Sequence, residues 1–231
     1  MFIGHFAAAF AAKRAAPRAS LGVMLAAATL LDLMWPVFLF LGWEQVRIDP
    51  GNTAVTPLDF VSYPWSHSLV MVLGWSVLAG ALYFAWRRDR VAAVVVGGAV
   101  LSHWVLDAIA HRPDLPLVPA GTTLVGFGLW RSVAATLAVE GLLFAGAALL
   151  YARATVARDT AGRWGFRSFV GAAVVIYLMN LFGPPPPDVG ALRVVALSAW
   201  LIPLWGWWFD RHRAAAVAGR GEPRPYVAQV G

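Results

Sequence analysis

The sequence predicts an all-α fold: a polytopic membrane helix bundle of about six transmembrane helices plus a short N-terminal helix. Three observations predict it. First, 60% of the 231 residues are hydrophobic and only 13% are charged. A soluble domain averages about 45–50% apolar and about 25% charged. The mean hydropathy of +0.67 agrees. Second, six apolar stretches are long enough, or nearly so, to cross a hydrocarbon core of ~30 Å, which takes about 20 helical residues. Third, Lys and Arg segregate between alternate connections, as the positive-inside rule requires.

The elements follow in order. MFIGHFAAAFAA is apolar first, with KRAAPR after it. That is the reverse of a secretory signal, and the segment is too short to span. It reads as a short helix dipping into the bilayer or lying at its surface. The spans then fall at roughly 20–42, 66–86, 91–110, 130–151, 168–183 and 190–209. In the first, Pro36 frees a carbonyl one turn earlier and predicts a kink beside Asp32. The third contains VVGGAV, whose glycines permit close helix packing. The fifth is the shortest, at about 16 residues, and ends where GPPPP stops a helix. Asp210 and His212, among arginines, close the sixth as an interface anchor. Asp49, Asp59 and Asp114 read as solvated loop acids, with DPGN at 49–52 a turn.

Fourteen basic residues fall on one side of this arrangement. They lie before the first span, at 87–90, at 152–167 and in the tail. Only Arg47, Arg112, Arg131 and Arg193 fall on the other. The asymmetry predicts a multi-pass protein of the bacterial inner membrane with both termini cytoplasmic. Residues 1–213 make a single transmembrane domain. Residues 214–231 lack apolar periodicity and predict a disordered cytoplasmic tail. The net charge of +6 is spread over loops and tail, which excludes a nucleic-acid surface and leaves membrane lipids as partners. Without cysteine there are no disulfides or thiolate sites, so any metal must use His and carboxylate.

Ionisable groups in a bilayer are costly, so each needs a reason. Counting ~1.5 Å per residue from the nearest basic residue puts Asp32, His103, Glu140 and Asn180 at one level, ~20 Å deep. Asp107 falls at ~25 Å, and His67 and His111 at ~30 Å, near outer helix ends. His5 would be only ~12 Å deep and reaches the others only if its helix inserts beside them. Four polar groups from four spans at one level predict a shared polar cavity. In LSHWVLDAIAHRPD, His103, Asp107 and His111 share one helix face. Neutral imidazole and carboxylate one turn apart suit a metal. They equally suit an interhelical hydrogen-bond network. His111, before Pro113, reads more readily as an interfacial histidine. Glu140 serves as ligand, general base or partner of a neighbouring His.

The motifs in this order, GH at 4–5, LLDLMWP at 30–36, YPWSHS at 63–68 and SHWVLDAIAHRPDLPLVP at 102–119, resemble the bacterial membrane-bound metal-dependent hydrolase family. The resemblance covers roughly residues 1–120. It implies His5, Asp32, His67, His103 and Asp107 as the metal set. The site is also similar, more distantly, to that of zinc-dependent phospholipase C. Trp35, Tyr63 and Pro64 stand where the family commonly carries further acidic, basic or His residues, which implies a reduced or single-metal site. The expected function is hydrolysis of a lipid-like ester or phosphoester. The cofactor would be a divalent metal, zinc first and manganese or iron next. Glu140 or Asp107 would be the general base. Two alternatives stand beside it: a proton- or cation-coupled transporter, and a structural protein with a polar interhelical network.

Overall fold

The computed structural model describes residues 1–216. The chain order begins with α1 (Ile3–Ala15), α2 (Leu21–Ala28), α3 (Leu30–Phe40), the hairpin β1 (Gln45–Ile48) and β2 (Leu58–Ser62), and the single turn α4 (Pro64–His67). The long helices α5 (Leu69–Arg87) and α6 (Arg90–Ala110) follow, then β3 (Leu115–Pro116) and β4 (Leu124–Val125). The chain continues through α7 (Val133–Ala154), β5 (Thr155–Ala157), α8 (Thr160–Phe182), α9 (Val189–Leu197), α10 (Leu201–Arg211) and β6 (Arg213–Ala215). The molecule is an all-α bundle. Five helices are long and apolar enough to cross a membrane, the continuous Val189–Arg211 among them, and the bent pair α2–α3 makes a sixth.

Three elements depart from the sequence expectation. The short helix expected to dip into the bilayer or lie at its surface, α1, is a core element: Ile3, Gly4, His5, Phe6, Ala7, Ala9 and Phe10 are all buried. It packs against α2, α6 and α7. Its small residues let neighbours approach, while Phe10 meets Phe144, Tyr151, Phe166 and Phe169 with ring centroids 5.2–6.0 Å apart. Next, the first span breaks at Thr29, not beside Pro36, and turns by 55° there. The Thr29 hydroxyl donates to the Leu25 carbonyl at 2.8 Å, a back-bond that bends helices. Pro36 lies within α3. Finally, α8 begins at Thr160, well before the expected 168, because Asp159 accepts from the Gly162 amide and caps it. Arg163 and Arg167 ride on its first two turns.

The basic end is tied together by Asp210. This acid is buried, not an exposed anchor: it accepts from the Lys13 ammonium (3.0 Å), the Leu21 amide (2.9 Å) and the Tyr151 hydroxyl (2.8 Å). Beside it, β6 pairs with β5 and shows residues 213–215 as strand. The remainder of the expected disordered tail, 217–231, lies outside the described residues. Glycines set two helix crossings. A Cβ at Gly97 would lie 2.9 Å from the Ser76 carbonyl of α5, so close approach needs glycine there, whereas Gly98 faces open space. At Gly22 a Cβ would collide with Trp207 and the Pro203 carbonyl of α10.

At the opposite end, Asp59 and Asp114 are not solvated. Asp59 is buried between Arg47 and Arg112, and Asp114 accepts from the Tyr63 hydroxyl (3.1 Å), Arg112 (3.1 Å) and the His111 ring (2.9 Å). Burial alone would raise the Asp114 carboxyl, but the His111 and Arg112 contacts outweigh it and hold the group below the usual range. Burial and the Asp114 charge push the Tyr63 hydroxyl upward.

Candidate metal centre

Four elements converge on one buried point. α1 supplies His5, α3 supplies Asp32, α4 supplies His67, and α6 supplies His103 and Asp107 one turn apart. His103 Nε2 lies 3.1 Å from Asp107 Oδ2 and 3.7 Å from Asp32 Oδ1. His67 Nε2 lies 3.7 Å from each of the same two oxygens. His5 Nε2 is 3.1 Å from Asp107 Oδ1, and its ring stacks on that of His103 with centroids 3.6 Å apart. The Met1 amino group also pairs with Asp107 Oδ1. His5, His67, His103 and Asp107 are buried. Asp32 sits on the buried face of α3, among Leu31, Trp35, Pro36 and Leu39, yet its side chain is 44% exposed. It is the least buried member of the set.

The ring nitrogens behind the site decide which atoms face it. His103 Nδ1 lies 2.8 Å from the Ala28 carbonyl, which can only accept, so Nδ1 carries the proton. Ala28 ends α2, where the last carbonyls of a helix lack intrahelical partners. The break at Thr29 thus places a carbonyl that orients His103. His67 Nδ1 lies 2.6 Å from Ser66 Oγ, which lies 2.7 Å from Glu44 Oε2. With Glu44 ionised, Ser66 donates to it and accepts from His67. Glu44 also accepts from the Trp65 and Ser66 amides at 2.9 and 2.7 Å. Burial pushes its carboxyl upward against those donors.

When the two rings are neutral, each Nε2 lone pair points at carboxylate oxygens, which are acceptors too. His103 Nε2 makes no well-directed hydrogen bond, although Asp107 Oδ2 lies 3.1 Å away. A buried acceptor aimed at acceptors is costly unless a cation lies among them. The spacing suits one: ligands on ~2.1 Å bonds at the tetrahedral angle stand about 3.4 Å apart, and the atoms here are 3.1–3.7 Å apart. Two groups, His5–His103–Asp107 and Asp32–His67–His103, each bring their ligand atoms within 4.8 Å of one another. This buried His/Asp cluster can hold a metal ion.

The remaining candidates fall elsewhere. Glu140 Oε2 accepts the amides of Phe2 (2.8 Å) and Gly4 (3.1 Å), so it anchors the start of α1 and the backbone beside His5. Asn180 lies on the exposed side of α8 and joins none of these groups. His111 caps α6 among Tyr63, Asp114 and Trp130, with the Trp130 ring 4.4 Å away by centroid; Tyr63, whose ring also lies 5.2 Å from that of His67, joins this cluster to the His/Asp group. The uniform depth count misplaced His5 and His67. A first span bent by 55° and a fully inserted α1 do not measure depth as straight rods do. Glu44 is not singled out by the sequence, because no local pattern links it to Ser66, 22 residues on. The chain matches no family model, no curated protein and no solved structure.

Proposed function

We propose that the chain is a membrane-embedded, metal-dependent hydrolase acting on a lipid-like ester or phosphoester. The observation that carries this is His103 Nε2, which makes no well-directed hydrogen bond and is set among carboxylate oxygens at ligand spacing. His103 and Asp107 would hold the ion together with His67, flanked by His5 and Asp32. A single Nε2 lone pair serves one ion, and both ligand groups share His103, which favours one metal. Imidazole plus carboxylate without thiolate favours zinc, with manganese or iron next. When bound, such an ion supplies Lewis acidity and acidifies water.

The chain's own residues do the rest. Ser66 and the Ala28 carbonyl hold the two imidazoles in the tautomer that offers Nε2. Asp107 has both oxygens engaged by the histidines, which fits a ligand better than a base. Asp32, the exposed carboxylate of the set, is placed to take the proton of an incoming water. Glu140, held by two amides, positions α1 rather than moving a proton. The order of GH, LLD, SHS and SHWVLD supports the same reading. A substrate arriving from the bilayer fits helices of membrane-crossing length and composition. The arginine distribution supports an inner-membrane location with cytoplasmic termini.

The test is a panel of phospholipids and simple ester and phosphoester substrates given to purified protein. Hydrolysis of at least one class is expected, lost on chelation, restored by zinc, and reduced at least ~100-fold in His103→Ala. Turnover that is indifferent to chelation and to His103→Ala would overturn the proposal. Proton or cation flux through reconstituted vesicles that survives chelation would favour a transporter instead.

A further inference from the structure

A second concave site lies at the basic end, away from the His/Asp cluster. It has a volume of about 350 Å³ and is lined by Arg18, Arg87, Arg88 and Arg90 with Tyr83 and Asp89. Its making is tertiary, not a property of one loop. Arg18 comes from the connection between α1 and α2, while Arg87, Arg88 and Arg90 surround the tight turn between α5 and α6. That turn is built around Arg88, which stands in the left-handed region at φ 55°, a conformation disfavoured for a residue with a Cβ. Its amide still closes on the Phe84 carbonyl at 2.8 Å, ending α5.

The pocket carries a net positive charge, four arginines against one acid. The one acid there, Asp89, is engaged by the Ala92 amide as the cap of α6. Among the described residues no carboxylate lies within ion-pair distance of these four guanidinium groups; the paired cationic side chains are Lys13, Arg47, Arg112 and histidines. The 21-residue α6 also starts here, and its dipole adds positive potential. Like charges gathered in a concavity repel unless an anion joins them, and Arg matches phosphate oxygens in geometry. The rim points to the source of that anion. Trp86 and Val91 are exposed beside the pocket, and Leu82 and Val94 continue the exposed apolar surface away from it. The pocket therefore sits where the apolar, lipid-facing surface gives way to polar surface. Arg87 stacks on Trp86 at 5.0 Å in keeping with that boundary.

We propose that this pocket binds the phosphate of an anionic lipid headgroup. The site is independent of the metal centre and goes beyond the hydrolase reading. The competing view is a diffuse basic belt in which every arginine at this end contributes equally. The two views separate in one experiment. Full-length protein is placed in phosphatidylcholine nanodiscs doped with phosphatidylglycerol, and retained lipid is read by native mass spectrometry. Wild type is expected to retain phosphatidylglycerol. The triple variant Arg18→Gln, Arg87→Gln, Arg90→Gln is expected to lose at least ~10-fold of that retention. The control pair Arg163→Gln, Arg167→Gln, at the same end but outside the pocket, should stay near wild type. Melting curves check that all three proteins are folded. Equal loss in control and triple variant, or no loss in the triple, would overturn the proposal. Stabilisation by inorganic phosphate with no retained lipid would overturn the lipid as the source.

Discussion

Each imidazole at the centre is defined by the atom behind it. His103 leans on a backbone carbonyl, and no side-chain substitution removes that acceptor. His67 leans on Ser66, whose hydroxyl is itself fixed by Glu44. Groups that hold a ligating imidazole from behind set its tautomer and basicity, and their loss typically costs about 10–100-fold in metal affinity. Ser66→Ala is therefore expected to weaken zinc binding about 10–100-fold in a competition titration, while Ser66→Thr, which keeps the hydroxyl, retains most of it. Wild-type affinity in Ser66→Ala would show that His67 needs no such support. That His103 and Asp107 share a buried site is legible from sequence, because one helical turn apart in an apolar run they demand a reason; as metal ligands, His5, Asp32 and His67 are joined to them only through the family resemblance. The support behind His67 is not legible. Glu44 precedes β1 and meets Ser66 only because the hairpin folds back onto α4, and no periodicity encodes that.

Helices place these side chains by being interrupted or short. The break at Thr29 frees the end of α2 near His103 and starts α3 on a new axis that carries Asp32. Pro36 drew attention in the sequence as the obvious disruptor. The Thr29 back-bond could not be weighed against it without knowing that His103 would claim the Ala28 carbonyl. The length and apolar character of α1 were equally plain, but its burial was not. A segment too short to span reads as interfacial unless neighbours enclose it, and here α2, α6 and α7 do. Glu140 secures that enclosure by accepting the first amides of α1, groups that a helix start otherwise leaves unpaired. Glu140→Ala should thus destabilise the protein by about 1.5–3 kcal/mol, the range for hydrogen bonds to a charged group. Glu140→Gln, which keeps an acceptor oxygen, should lose less. Thermal melts of the two variants distinguish this from a purely catalytic carboxylate, whose replacement by Ala would leave the melting temperature unchanged.

Across the whole molecule, polar groups gather in networks, each joining elements distant in sequence. Asp210 ties α1, α2, α7 and α10 at the basic end. Asp59, Asp114 and their arginines lock the hairpins at the other end. Between them lies the His/Asp cluster, whose donors alone are left pointing at one another. In the first two networks every acid meets a cation or a donor, so they account for themselves as structure. In the third, the Met1 amino group and His5 meet Asp107, but His67 Nε2, His103 Nε2 and Asp32 Oδ1 are left facing one another. Hydropathy and the alternation of arginines made the bundle and its span count legible, because both follow from crossing a membrane. Which acids would turn inward from the loops was not, since Asp49, Asp59 and Asp114 look alike until the arginines that face them are placed.

The central claim is that a metal ion sits among His103, Asp107 and their partners. Elemental analysis of the detergent-purified protein beside His103→Ala and Asp107→Ala tests it most directly. The predicted result is about one equivalent of a transition metal in wild type, lost in both folded variants. A well-folded wild-type protein that holds no metal, even after zinc is added, would contradict it.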